Sequence, residues 1–438
     1  MGIKVAKFGG TSLSSVEQFI KVRSIVMMDE ERRYIVPSAP GKRHSSDHKI
    51  TDLLYLCQEH AQKGVPFGEI FEIISTRYLE IVEGLELSLD LRPILEDIKE
   101  KVLGGYSAEY TASRGEYLNG LILAEFLGYE FIDPADMIIF TETGAFDAEA
   151  TEEAVNQTLA NCKKAVVPGF YGSKIDGGIQ TFSRGGSDIT GAIIAQGVGA
   201  ELYENWTDVS GFMMADPRIV KNPKSIKAIT YRELRELAYM GANVLHEDAI
   251  FPVREAGIPI NIKNTNEPKS VGTFIVPNGD DYPSTGMITG IAGRKDFTII
   301  SIEKAMMNAE LGFGRRLLSI IEAQGISFEH MPSGIDNISL VIADNQLDGK
   351  LDNVIEEINN QLKPDRVKVH SNMALIATVG HGMAYTPGIS AKIFRSLGLD
   401  KINIRLIAQG SDEMNIIIGV EIDDFERAIQ AIYLAFID

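Results

Sequence analysis

The sequence is poor in cysteine and histidine and has no long apolar run. It contains two cysteines, Cys57 and Cys162, and seven histidines in 438 residues, which argues against a disulfide scaffold or a cysteine-rich metal site. No segment reaches the roughly 18 consecutive apolar residues of a membrane span. The start, MGIKVAKFGG, contains no apolar signal segment. We therefore expect a cytoplasmic protein without a membrane partner.

Positive charge is also in short supply. The chain carries 42 Lys and Arg against 61 Asp and Glu, which gives a formal net charge of -19. Because such a charge repels nucleic acids, we expect no nucleic-acid partner, and an acidic ligand would need positive charge gathered at one place. The length exceeds the size at which a single core stops growing, so two or three domains are expected.

The sequence does contain, through residue 265, an alternation of short β-rich segments with longer segments of helical period. This alternation predicts an α/β domain over residues 1–265, with a mostly parallel sheet sandwiched by helices. Glycine, hydroxyl and charged residues follow several strands, as in FGGTS, SAPGKR, PGFYGS and TDVSG. Since ligands bind at the carboxyl ends of parallel strands, we expect the site there.

The pattern changes after residue 265. Residues 266–296 are rich in Pro, Gly, Asp and Ser and are predicted to be a connecting region. Residues 297–371 and 372–438 then repeat a β-α-β-β order, each with an apolar strand after a polar turn, in SGIDNISLVI and QGSDEMNIII. The repeat predicts two α+β units of regulatory function, which could pair to continue one sheet.

Two clusters suggest anion binding. Lys7 ends a strand and faces glycines that are predicted to open the next helix, so its ammonium and backbone N–H groups can converge on one anion. A solvated lysine beside a tight turn explains KFGG equally well. In the second cluster, Arg184 and two glycines precede Ser187 and Asp188, either of which is placed to cap a helix. Capping alone does not explain Arg184, whose planar fork suits a carboxylate.

Two further clusters are weaker. Glu116 is predicted to open a helix, where an acid ordinarily serves the macrodipole. Thr207 and Asp208 end a strand, and Asp216 and Arg218 flank a proline turn, for which turn chemistry is an equally good explanation.

Taken together and in order, these segments resemble the aspartokinases of the amino acid kinase family. The matching segments are KFGGTS at 7–12, SAPG at 38–41 with Thr51 and Asp52, SRGE at 113–116, RGGSD at 184–188, TDVSGFMMADPR at 207–218 and GANVLH at 241–246. The resemblance covers nearly the whole chain and implies the amino acid kinase fold followed by two ACT domains. It also implies a monofunctional enzyme, without the homoserine dehydrogenase of some relatives.

The resemblance implies a reaction and roles for residues. The γ-phosphoryl of MgATP would pass to the β-carboxylate of L-aspartate, with Lys7 and Asp188 as catalytic residues and with Mg²⁺ carried by ATP rather than bound directly by the protein. Aspartate would be bound by Ser38, Thr51, Glu116 and Arg184. Met213 and Asn243 depart from the family pattern: methionine can still pack on the adenine, though less rigidly, and the missing positive charge at Asn243 implies weaker ATP binding. The implied ATP-binding residues are Lys7, Gly9, Gly10, Ser12, Thr207, Asp208, Met213, Asp216, Arg218 and Asn243.

The resemblance also implies a homodimer or tetramer formed through the ACT domains, with an allosteric amino acid bound at their seam. Two acids, Glu310 and Glu329, would lie beside the effector, which favours lysine over threonine. Solvation of both acids is the simpler alternative. The implied effector-binding residues are Met307, Glu310, Gly312, Gly314, Glu329 and Ser333.

Two other functions stay open at this point. Another amino acid kinase, acting on glutamate or its acetylated form, is disfavoured by Glu116, which suits an α-ammonium, and by the tandem ACT-like units. A non-catalytic amino-acid sensor on a decayed kinase is disfavoured because Lys7, Arg184 and Asp188 are all retained.

Overall fold

A computed structural model describes residues 2–183, 185–242, 251–277 and 286–437. The chain divides into two compact units. Within the described residues, the first contains 2–212, 225–231 and 251–277, and the second contains 213–224, 232–242 and 286–437. No helix of the described residues is long and apolar enough to cross a membrane.

The first unit is built on strands that are short and mostly buried. They are β1 (Lys4–Phe8), β2 (Arg32–Pro37), β3 (Glu130–Phe131), β4 (Ile139–Phe140), β5 (Ala165–Val166), β6 (Tyr171–Lys174), β7 (Ile179–Thr181), β8 (Leu202–Thr207), β9 (Ala228–Thr230), β10 (Ile260–Asn264) and β11 (Thr273–Val276). Eight of them form one sheet in the order β3-β5-β2-β1-β8-β10-β11-β9. Within it only β10 and β11 pair antiparallel. Strands β4, β6 and β7 form a separate sheet.

Helices lie between several of these strands along the chain. They are α1 (Val16–Met27), α2 (Ile50–Gln62), α3 (Gly68–Gly84), α4 (Arg92–Leu103), α5 (Ala108–Leu127), α6 (Ala148–Leu159), α7 (Gly186–Gly197), α8 (Tyr231–Tyr239), of which only the first residue belongs to this unit, and α9 (Phe251–Glu255). One core holds residues of β1, such as Ala6 and Phe8, with Phe19 of α1, Leu54 of α2 and Tyr78 of α3. The predicted mostly parallel sheet with helices is confirmed.

The register of the sheet brings three strand ends together. Phe8, the last residue of β1, lies opposite Pro37 of β2 and Trp206 of β8. The loops that follow these three strands therefore leave the sheet at the same edge, which is where a parallel sheet places its ligands.

The second unit is an antiparallel sheet with helices. Its strands are β12 (Gly290–Glu303), β13 (Asn337–Ala343), β14 (Arg366–Val379), β15 (Leu406–Ala408) and β16 (Asn415–Glu421), in the order β13-β12-β14-β16-β15. Its helices, besides most of α8, are α10 (Phe313–Ala323), α11 (Asp344–Leu347), α12 (Leu351–Leu362), α13 (Ile389–Leu399) and α14 (Phe425–Ile437). The predicted α+β character of the C-terminal region is confirmed.

The structure divides the chain differently from the predicted boundaries. Within residues 266–296, β11 lies inside the eight-stranded sheet and the first half of β12 lies in the second sheet. The run TFIV is buried although Pro and Gly surround it, which is why composition suggested a connection. The boundary between 371 and 372 falls inside β14, which is continuous. Residues 213–224 belong to the second unit because Ala215 and Val220 pack in its core.

Candidate active site

Lys7 and Asp188 meet at the edge where the three strands end. The Lys7 Nζ lies 2.6 Å from Asp188 Oδ1, and only 8% of the Lys7 surface is exposed. Asp188 lies in the first turn of α7, where the macrodipole favours a negative charge. The structure thus brings together both predicted catalytic residues in one partly dehydrated ion pair.

The capping predicted for Ser187 or Asp188 is not formed. Helix α7 is preceded by Gly185, which takes the N-cap position with a left-handed backbone (φ 62°) and without a side-chain cap hydrogen bond. Glycine adopts this conformation without strain. Asp188 is consequently inside the helix, and its carboxylate reaches Lys7 instead of the helix end.

A third residue, Asn205, orients this pair and was missed by the sequence analysis. It lies opposite Lys7 across β1 and β8, is buried, and donates from Nδ2 to Asp188 Oδ1 at 2.9 Å. Lys7 and Asn205 therefore share one carboxylate oxygen, and no described residue donates to the other oxygen of Asp188. The only sequence signal was a second polar residue beside Glu204 within a buried strand.

Gly9 and Gly10 shape the space beside Lys7. A Cβ on Gly9 would lie 3.6 Å from Lys7 Nζ, and a Cβ on Gly10 would lie 2.6 Å from the Ala39 carbonyl oxygen. Gly41 N donates to Gly10 O at 2.8 Å. Gly9 thus leaves room at the ammonium, and Gly10 lets the loops after β1 and β2 touch.

The next helix begins at the predicted position, but the glycines do not themselves open it. A 3₁₀ turn over Gly10–Leu13 intervenes, and α1 begins at Val16. Ser12, one of the predicted ATP-binding residues, is buried, and its hydroxyl pairs with that of Thr265 at 2.7 Å. This hydroxyl joins the glycine loop to the end of β10, so it is already engaged within the protein.

Glu116 is a buried carboxyl group with one unpaired oxygen. Its Oε1 accepts from Ala39 N at 3.1 Å, while Oε2 is buried without a partner. Burial raises the pKa of Glu116 to about 8, against the lowering effect of the hydrogen bond from Ala39. The predicted position at a helix start is wrong, because α5 begins at Ala108, capped by Ser107. A role for Glu116 toward the macrodipole is thereby removed.

The loop after β2 and the helix that follows it carry the next two predicted residues. Ser38 N donates to Phe8 O at 3.0 Å, and Ser38 O accepts from Asn119 Nδ2 at 2.6 Å. Thr51 lies half-buried in the first turn of α2. Both of these hydrogen bonds use the Ser38 backbone, and they fix the loop beside β1.

A buried arginine from α3 also holds this loop. Arg77 donates to Gly41 O at 3.1 Å and to Asp47 Oδ1 at 2.6 Å. Although burial raises the pKa of Asp47, hydrogen bonds from Arg43 and the charge of Arg77 hold it well below its usual range. The ion pair thus stays charged at neutral pH, and it ties α3 to the glycine contact. No sequence motif indicated it.

The predicted ATP-binding residues are distributed over both units. Thr207 ends β8, and its hydroxyl donates to Asp208 Oδ1 at 3.3 Å. Met213, Asp216 and Arg218 belong to the second unit, where Asp216 and Arg218 pair with each other at 2.6 Å. This local pair is consistent with the alternative that Asp216 and Arg218 stabilise the proline turn. Two predicted residues, Asn243 for ATP and Arg184 for aspartate, lie outside the described residues.

The two acids predicted to flank an effector have separate partners. Glu310 pairs with Lys304 at 2.7 Å and with Arg316. Glu329 accepts from the Tyr239 hydroxyl and lies 3.8 Å from an Arg294 nitrogen. They share no partner, so the structure does not bring them together as two uncompensated charges.

The other predicted effector residues surround the start of α10. Gly312 is its N-cap, with a left-handed backbone (φ 75°), and Gly314 lies in its first turn. Met307 is buried in the core of this region. Ser333 forms an isolated bridge with Ile338 of β13.

Comparison with known proteins gives similarity over the whole chain. The amino acid kinase family model matches residues 2–264, and an ACT domain model matches residues 376–436. Aspartokinase 3 of Bacillus subtilis (strain 168) is 38% identical over 450 residues, covering 99% of this chain and 98% of that protein. The crystal structure of Clostridium acetobutylicum aspartate kinase is 56% identical, with a TM-score of 0.92 and 99% of both chains covered.

Two structures of Escherichia coli aspartokinase III are also similar, each at 25% identity. The complex with aspartate and ADP, called the R-state, has a TM-score of 0.71 and covers 99% of both chains. The complex with lysine and aspartate, called the T-state, has a TM-score of 0.74 and covers 100% of both chains.

Proposed function

The chain belongs to the aspartokinases of the amino acid kinase family, and we propose that it transfers the γ-phosphoryl of MgATP to the β-carboxylate of L-aspartate. The product would be 4-phospho-L-aspartate, in the first step toward lysine, threonine and methionine. The observation that carries the proposal is the partly buried Lys7–Asp188 pair at 2.6 Å, next to the space that Gly9 leaves open.

Lys7 supplies a positive charge for the phosphoryl group in the transition state. Negative charge develops on the phosphoryl oxygens during transfer, and a fixed cation in a partly dehydrated site stabilises it more than water does. Asp188 and Asn205 hold the ammonium in place. No general base is needed, since the β-carboxylate of aspartate is ionised at neutral pH.

Glu116 receives the α-ammonium of aspartate. Its unpaired, buried Oε2 lacks a donor in the protein, and a buried carboxylate without a partner is costly. An ammonium ligand would satisfy this oxygen and favour the ionised form. Ser38 and Thr51 add hydroxyl contacts, and Arg184 clamps a carboxylate of the substrate.

ATP occupies the space beside Lys7, with its phosphates against the Gly9–Gly10 backbone. A side chain on Gly9 would fill the space near the Lys7 ammonium, so glycine fits a phosphate group at this point. Mg²⁺ carried by the phosphates would neutralise part of their charge. Thr207 and Asp208, at the end of β8, lie on the nucleotide side.

A hydroxamate assay tests the reaction. Purified protein is incubated with MgATP, hydroxylamine and either L-aspartate or L-glutamate, and the acyl phosphate is trapped as its hydroxamate. We expect hydroxamate with aspartate and far less with glutamate. A preference for glutamate would identify another amino acid kinase, and no product with either substrate would indicate a non-catalytic sensor.

We also propose that the kinase region, residues 1–265, is controlled by lysine bound to the ACT-like region, residues 297–438. The lysine complex of Escherichia coli aspartokinase III supports this proposal, as does the left-handed Gly312 at the start of α10, whose N–H groups suit an α-carboxylate. Because Glu310 is already neutralised by two cations, Glu329 is the acid proposed to meet the effector ammonium.

Effector identity is tested by adding lysine, threonine and methionine separately to the assay. Glu329→Ala is compared with Glu322→Ala, which removes an exposed acid of α10. Inhibition is expressed relative to each variant's own uninhibited rate. We expect lysine to inhibit wild type and Glu322→Ala but not Glu329→Ala. The coupling free energy between lysine binding and activity should be about 1 to 3 kcal/mol. Inhibition by threonine alone would contradict the assignment.

The assembly is proposed to be a homodimer or tetramer formed through the ACT-like regions, since ACT domains pair across a two-fold axis in this family. Light scattering after size-exclusion chromatography measures the mass directly. A monomer at assay concentrations would contradict the proposal.

A further inference from the structure

The face of α5 turned away from the site borders a cavity of about 310 Å³. Tyr110, Arg114 and Tyr117 line it from α5. Their spacing of four and three residues places them on one face of the helix, whereas Glu116 points to another face. The opposite wall is formed by α4, and the volume falls in the range of small-ligand pockets.

Among the residues that the structure describes, Arg114 is a buried cation without an anionic partner. It is 7% exposed, and its hydrogen bonds within the described ranges go only to the Ser113 hydroxyl, from Nε at 3.1 Å and from Nη2 at 2.9 Å. No described carboxylate lies within ion-pair distance of it. Buried charges are normally paired, so the guanidinium lining this cavity has donors to offer.

Three aromatic rings fix the guanidinium without neutralising it. Its carbon lies 4.6 Å from the ring centre of Tyr110, 4.5 Å from that of Tyr117 and 5.2 Å from that of Tyr171. Burial raises the pKa of all three phenols, so none is an anion at neutral pH. The rings stabilise the cation by cation–π contacts and limit its movement.

The wall formed by α4 determines what kind of anion fits. Pro93, Ile94 and Ile98 give it an apolar surface. Lys101 and Asp97 pair at 2.8 Å on the same wall. With Arg114 the cavity therefore carries one net positive charge, and a dianion such as phosphate would approach Asp97 unfavourably.

We propose that this cavity binds a small monocarboxylate with an apolar body, held by Arg114 through its carboxylate and by the α4 wall through its apolar part. An α-amino acid has the same chemistry, and its ammonium would meet Asp97. A planar guanidinium recognises a carboxylate through two parallel hydrogen bonds. The site is separate from the proposed aspartate and ATP sites and does not depend on their assignment.

Calorimetry on the full chain tests the proposal with 3-phenylpropanoate, L-phenylalanine and inorganic phosphate as probes. We expect 3-phenylpropanoate to bind with a Kd of about 1 mM or tighter, and Arg114→Gln to weaken it by about tenfold or more. Arg92→Gln on α4 is the matched control, because its side chain is 76% exposed and outside the cavity. The affinity of Arg92→Gln for 3-phenylpropanoate should equal that of wild type.

Further variants identify the ligand class. If the natural ligand is an amino acid, Asp97→Asn should weaken the binding of phenylalanine but not that of 3-phenylpropanoate. If it is a simple monocarboxylate, Asp97→Asn should weaken the binding of neither probe. Ile94→Phe, which enlarges a half-buried side chain of the wall, should block both probes and serves if Arg114→Gln does not fold. Absence of binding, unchanged affinity in both Arg114→Gln and Ile94→Phe, or equal binding of phosphate would overturn the proposal.

Discussion

Replacing Glu116 with glutamine should remove a pH dependence from aspartate binding. The pKa of this buried carboxyl is raised to about 8, so the group is mostly neutral at neutral pH when no substrate is bound. The α-ammonium of aspartate needs the ionised form. Binding must therefore remove a proton from Glu116, and this proton appears in the solvent.

The size of the effect follows from the pKa. A group with a pKa of about 8 is ionised in roughly one molecule in ten at pH 7, and in about three of four at pH 8.5. Aspartate KM should consequently fall by roughly tenfold over this interval, and binding at pH 7 should release about 0.9 proton. The sign is fixed by the raised pKa: affinity increases as pH rises through 8.

Two measurements examine this reasoning. Calorimetry of aspartate binding in buffers of different ionisation enthalpy gives the number of protons released, and steady-state kinetics gives aspartate KM against pH. Glu116→Gln should bind aspartate weakly at every pH, without the slope. Glu109→Gln, on the same helix α5, is the matched control and should keep the wild-type slope.

The unliganded protein provides an independent readout. Because the folded-state pKa is above the ordinary value of 4.5, the stability contributed by neutral Glu116 is complete below about pH 4.5 and is lost as pH rises through 8. Glu116→Gln should thus gain thermal stability relative to wild type over this window, by on the order of a few kcal/mol. A flat aspartate KM together with a constant stability difference would refute the reasoning.

Three further outcomes are expected. Lys7→Ala should lower kcat by about a hundredfold or more with a smaller effect on aspartate KM; Lys4→Ala on the same strand is its control, and an unchanged kcat would refute the role. Asn205→Leu leaves Asp188 with one donor and should lower kcat by about tenfold, the value of one charge-assisted hydrogen bond, so wild-type kcat would exclude positioning by Asn205. Arg184→Lys should raise aspartate KM and leave ATP KM nearly constant, whereas a change in ATP KM alone would move Arg184 to the nucleotide side.

The sequence predicted those parts of the site that adjacent residues determine. Alternating apolar segments indicated the parallel sheet, the segments around Lys7 and Arg184 each indicated anion binding, and the family resemblance implied that Lys7 and Asp188 act together. The position of Glu116 was misjudged because the cap formed by Ser107, which accepts from Tyr110 N, was overlooked. The Ser107 cap is itself a signal in the sequence, nine residues before Glu116.

The parts that were missed depend on contacts between distant residues. Arg77 and Asp47 are 30 positions apart, and no periodicity links them. The acid Glu329 meets Tyr239, which is 90 positions away. Such distant neighbours determine whether a carboxylate already has a partner within the protein. The sequence around the carboxylate therefore could not indicate whether it is available to a ligand.

The two long central strands of the C-terminal sheet have a consequence for how that region unfolds. Strands β12 and β14 contain 14 residues each and pair along both halves. A chain cut after residue 371 would keep the first half of β14 but strip Gly290–Arg294 of their partners Leu375–Val379. Neither repeat therefore contains all the strand partners that it has in the full chain. We expect the intact sheet to unfold in a single cooperative transition, and we expect this transition to be lost when either repeat is deleted.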